Sequence, residues 1–100
     1  MSEPKTIQLR NPDPKKKMPS IDIGAHAALR RTALAVVPRE QPGITLDEYL
    51  DEMKARLPEM KGWDSSASPG WYAMAIKLDL EVRGELKRMK GKPPQRLVRA

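Results

Sequence analysis

The chain has 100 residues, which is room for one small domain. Apolar residues make up 39% and charged residues 32%, with a net charge of +6, a mix that can bury a core and that excludes the disordered classes. With no cysteine and one histidine, His26, the sequence excludes disulfide frameworks, thiolate metal sites, cysteine nucleophiles and multi-histidine centres.

In chain order, residues 1–20 read as a basic arm broken by Pro4, Pro12, Pro14 and Pro19, with Lys15, Lys16 and Lys17 between them. Thr6 to Arg10 alternates polar and apolar residues, as a short edge strand does. Met1 to Lys5 holds no apolar signal core, and no apolar run approaches the roughly 18 residues of a membrane span. The expectation is a cytoplasmic protein with no membrane contact.

Residues 21–100 read as the folded domain. A first helix is expected from Ile23 to Val37, capped by Asp22 and stopped by Pro38, with Leu29, Ala33, Val36 and Val37 on its core side. Thr45-Leu46-Asp47-Glu48 is a capping box that opens a second helix. Leu46, Tyr49, Leu50, Met53 and Leu57 then fall in an arc of about 100°. After a loop over 58–68, Ser68-Pro69 opens a third helix that ends at Gly84. Its apolar rows are Trp71, Ala75, Leu78 and Val82 on one side, and Tyr72, Ile76 and Leu80 on the other. Both Trp71 and Tyr72 are expected in the core, and Ala73, Lys77 and Glu81 are expected to face outward. Asp79 and Arg83, four apart within the apolar span, can pair. Leu86 to Met89 and Gln95 to Arg99 then read as two strands of a hairpin, joined by Lys90 to Pro94.

Three helices followed by a β-hairpin make an α+β layout of the winged-helix type. Residues Gly70-Trp71-Tyr72, Leu78-Asp79-Leu80-Glu81, Gly84 and Pro94-Gln95-Arg96-Leu97 resemble a bacterial family of small uncharacterised winged-helix-like proteins. That resemblance implies a fold and brings no active site or cofactor with it. The connection over 58–68 is longer than the turn of about 3–4 residues in a helix-turn-helix.

Charge is uneven along the chain. Residues 1–20 carry +3, 44–62 carry −2, 63–84 carry −1, and 85–100 carry +5. Lys87, Arg88, Lys90, Lys92, Arg96 and Arg99, with Lys77 on the third helix, are therefore the candidate nucleic-acid-binding residues. Lysines on exposed strands also serve simply to prevent unwanted pairing. The third helix contains no Asn or Gln, so binding to duplex DNA is expected to be led by the phosphate backbone, with weak sequence preference. The rival expectation is a protein-interaction or dimerisation module on the same fold.

Chemistry has little else to use. The glycines never approach a phosphate-loop spacing, and His26 could serve as a base for Ser65, Ser66 or Ser68 only through a tertiary proximity that nothing in the sequence indicates. Asp47, Glu48, Asp51 and Glu52 read as a solvated helix start rather than a metal site. No enzyme, metal or cofactor is expected.

Overall fold

The computed structural model describes residues 5–91 and 93–100. The fold is α+β, with three helices and two small antiparallel sheets. In chain order come β1 (Thr6–Gln8), β2 (Ser20–Asp22), α1 (Ile23–Val36), β3 (Ile44–Thr45), α2 (Leu46–Arg56), a 3-10 turn (Leu57–Glu59), α3 (Pro69–Val82), β4 (Leu86–Arg88) and β5 (Arg96–Arg99). Strand β1 pairs with β2, placing Ile7 opposite Ile21. The second sheet has the order β3-β5-β4, with Leu97 between Ile44 and Arg88.

Local chemistry sets the helix ends. Asp22 Oδ2 accepts from the Ala25 N–H at 3.0 Å and starts α1. Val37, the residue before Pro38, is extended at φ −88° and ψ 122° and ends it. The capping box of α2 is closed from both sides: Thr45 Oγ1 accepts from the Glu48 N–H, and Glu48 Oε1 accepts from the Thr45 N–H, each at 3.1 Å. Ser68 Oγ accepts from the Trp71 N–H at 3.2 Å, with Pro69 at the first helical position.

The core gathers Leu29, Ala33 and Val37 from α1, Tyr49 and Met53 from α2, Leu57, then Ala73, Ile76 and Leu80 from α3, with Leu86 and Leu97 from the sheet. Tyr49 is fully buried, and its hydroxyl donates to the Ala73 carbonyl at 2.7 Å. Burial pushes the Tyr49 phenol well above its usual pKa.

Three features depart from the sequence reading. First, β2 and β3 were not expected. Each is a strand of only two or three residues, too short to show an alternating pattern. Gly43 makes β3 possible: its φ is +78°, and a Cβ there would lie 2.2 Å from the Leu97 carbonyl oxygen. Second, the described part of the arm folds back on the body. Leu9 is 2% exposed, its N–H donates to the Pro19 carbonyl at 3.1 Å, and the Ile23 N–H donates to the Lys5 carbonyl at 3.0 Å. Third, α3 is rotated about its axis relative to the expected orientation. Ala73 and Lys77 are buried, whereas Trp71 is 45% and Val82 40% exposed. The small Ala73 lets Tyr49 reach the helix backbone, so the close approach follows alanine and leaves Trp71 and Val82, the two ends of the tryptophan row, exposed while Ala75 stays buried.

Candidate nucleic-acid interface

The β4–β5 hairpin carries most of the candidate cations. Residues paired across antiparallel strands share a face, and successive residues alternate. Lys87 pairs with Val98 and Arg88 with Leu97, so Lys87 and Arg88 point to opposite faces. Both are exposed, as is Lys90 in the connecting loop. Among the described residues none of the three forms an ion pair. Lys92 lies outside the described residues.

Arg96 and Arg99 are half-buried and sit elsewhere on the ribbon. Arg96 pairs with Thr45 across the sheet, beside the start of α2. The Glu48 carboxyl there lies below its usual pKa, held chiefly by hydrogen bonds from Thr45, with a smaller attraction from Arg96. Arg99 is at the base, where its N–H donates to the Pro38 carbonyl at 2.9 Å. It lines a depression of about 230 Å³ with Arg30, Leu34, Arg39, Gly84 and Glu85. The structure thus divides the basic run into a tip group and a base group.

Lys77 requires correction. Its side chain is 3% exposed, and Nζ lies 2.8 Å from Glu81 Oε2. It faces the packed side of α3 because the helix is turned, and it presents no free charge to a partner.

A cleft separates the end of α3 from the hairpin loop. Glu81, Arg88, Met89, Lys90, Pro93 and Gln95 line about 620 Å³ of space, together with Gly91. Its walls are fixed from behind. The Gln95 carbonyl accepts from the Leu46 N–H at 2.9 Å, and the Met89 N–H donates to the Arg96 carbonyl at 2.8 Å.

The sequence reading missed a second charged centre. Asp79 is fully buried and accepts from three directions. Its Oδ1 takes the Arg10 backbone N–H at 2.9 Å, and its Oδ2 takes His26 Nε2 at 2.7 Å and Arg83 Nε at 2.9 Å. Arg83 Nη2 also donates to the Gln8 carbonyl at 3.3 Å. Burial raises the Asp79 pKa, but the bonds from Arg83, His26 and Arg10 outweigh it and hold the carboxyl below its usual value. The Asp79–Arg83 pair was expected from its spacing. His26 and Arg10 stand 53 and 69 residues away, and no local pattern signals such contacts. His26 thus bonds to a carboxylate that braces the arm, α1 and α3 together.

The aromatic residues cluster beside α3. Tyr72 is half-buried and makes edge-on contacts with Trp71 at 4.9 Å and Trp63 at 5.5 Å between ring centres. Trp71, expected in the core, forms the outer edge of this group.

Residues 6–97 match the family of unknown function DUF6958. No curated protein and no solved structure matches the chain.

Proposed function

The chain belongs to the DUF6958 family, whose function is unknown, and from the structure's own features we propose that it is a winged-helix nucleic-acid-binding protein that grips the phosphate backbone with its β4–β5 ribbon. The order of elements supports the winged-helix reading: β3 lies between α1 and α2 and pairs with β5, and the β4–β5 hairpin follows α3. One observation carries the functional reading. Lys87, Arg88 and Lys90 are exposed and, among the described residues, unneutralised. Phosphates attract such a group, and the counterions they release add to the affinity. Lys77 is buried and α3 contains no Asn or Gln, so base reading in the major groove has no side chain to rely on.

The test is fluorescence anisotropy with duplex DNA at several salt concentrations. Three backbone contacts predict a log–log salt slope of about −3. Reversing Lys87, Arg88 and Lys90 to Glu should flatten that slope and weaken binding to all sequences alike. No binding by the parent protein at low salt would remove the proposal.

A second reading, a protein-interaction module or homodimer, draws on the outward row of α3. Trp71 and Val82, eleven residues apart, share one side of the helix and are both exposed. Light scattering that gives a dimer, lost on Trp71→Ser, would favour it. Ile76 and Leu80 are fully buried and add nothing to such a surface.

A further inference from the structure

We propose that the cleft between the end of α3 and the hairpin loop receives one unstacked base of a single-stranded nucleic acid. This rests on the backbone-binding reading and names the substrate of the same site. At about 620 Å³, the cleft falls within the roughly 300–1,000 Å³ of small-molecule sites. Its lining has the three chemistries a nucleotide needs. Arg88 and Lys90 supply positive charge for a phosphate. Met89 and Pro93 supply apolar surface for the face of a base. Gln95 supplies an amide, both donor and acceptor, for its edge.

Gln95 is the telling group. Gln95 Nε2 is buried and, among the described residues, completes no hydrogen bond, whereas Glu81 Oε2 is held by Lys77 Nζ at 2.8 Å. Buried polar atoms are nearly always paired, so each exception calls for a reason. A nucleobase edge carries a donor next to an acceptor, and glutamine is suited to such an edge. The terminal torsion of a glutamine amide is soft, so turning the amide brings its NH₂ into the cleft without moving the backbone. A base stacked in a duplex offers only its groove edge and cannot enter a concave cleft without first being extruded. A single strand supplies the unstacked base at no such cost.

The test uses anisotropy at low salt with the intact chain and three probes of equal length: a mixed-sequence single strand, an abasic single strand with the same phosphates, and a duplex. The expected result is about tenfold tighter binding to the single strand than to the abasic strand. The duplex should bind more weakly than the single strand despite its higher charge. Gln95→Leu keeps the volume and removes the amide. It should cut single-strand affinity about fivefold and leave abasic affinity unchanged, with folding checked by circular dichroism. If that variant fails to fold, the comparison of single and abasic strands on the parent protein still decides. Equal binding of abasic and normal strands, or tighter binding of the duplex, overturns the base cleft and leaves the backbone reading standing. Failure of all three probes to bind removes the backbone reading, and the cleft proposal with it.

Discussion

At the ribbon's tip, Lys87, Arg88 and Lys90 stand in water without an ion-pair partner among the described residues. At the other charged centre, Asp79 is shut away from water among donors from the arm, α1 and α3. The first arrangement projects a field and holds nothing together; like charges in solvent contribute little to folding. The second projects almost no field and joins three parts of the chain. The same residue types therefore serve recognition in one place and architecture in the other, and burial decides which.

The sharpest way to break this contrast is Asp79→Ala. It strands His26 and the Arg10 N–H and leaves Arg83 without its carboxylate. Removing one partner of a buried ion pair costs about 3–5 kcal/mol. Equilibrium urea unfolding should show a loss of that size, and a loss below about 1 kcal/mol would mean that Asp79 does not brace the fold.

Acid should reveal the same centre. Asp79 titrates below its ordinary 3.8 in the folded chain. A depressed carboxyl contributes stability above the unfolded pKa, and that contribution fades as pH falls from there through the folded value. Stability should therefore hold from neutral pH down to about 4 as far as Asp79 is concerned, then drop. Glu48, Asp64 and Glu85 are also depressed and add to the drop. Asp79→Asn starts less stable and should lose less over this range. Urea titrations at several pH values measure both slopes, and parallel slopes would show that the Asp79 carboxylate contributes no pH dependence.

The ribbon predicts the converse. Reversing Lys87, Arg88 and Lys90 to Glu should weaken DNA binding at least about tenfold at low salt. The same changes should move unfolding free energy by no more than about 0.5 kcal/mol, as for exposed sites without partners. A large stability loss would show that these cations brace the sheet, and the contrast with Asp79 would fail.

These two regions also differ in how well the sequence announces them. Capping residues and stops act within a few positions, so Asp22, Thr45–Glu48, Ser68–Pro69 and Gly84 were legible, as were the three helices and the hairpin. The ribbon's cations are adjacent in sequence, so their clustering was legible too, although strand alternation puts Lys87 and Arg88 on opposite faces. Helix rotation was not legible. The apolar side chains of α3 cover too much of its circumference for periodicity to choose a side, and Trp71 and Lys77 were placed the wrong way round. Nor were the contacts of Asp79 with His26 and Arg10, which depend on how distant segments meet.

Between the two extremes lies Arg30 with Glu85. Arg30 Nε donates to both carboxylate oxygens, at 2.9 and 2.8 Å, and Nη2 reaches the same group. The pair joins α1 to the start of the ribbon, as the Asp79 centre joins α1 to α3, and its fork geometry is favourable. Yet the Arg30 side chain is 45% and that of Glu85 29% exposed, so water competes for both partners. Exposed pairs contribute about 0.2–1 kcal/mol, and added salt weakens them. Arg30→Gln should therefore cost no more than about 1 kcal/mol in urea unfolding, with the difference shrinking at high salt. A loss near that of Asp79→Ala would mean that burial is not what separates structural charge from surface charge in this fold.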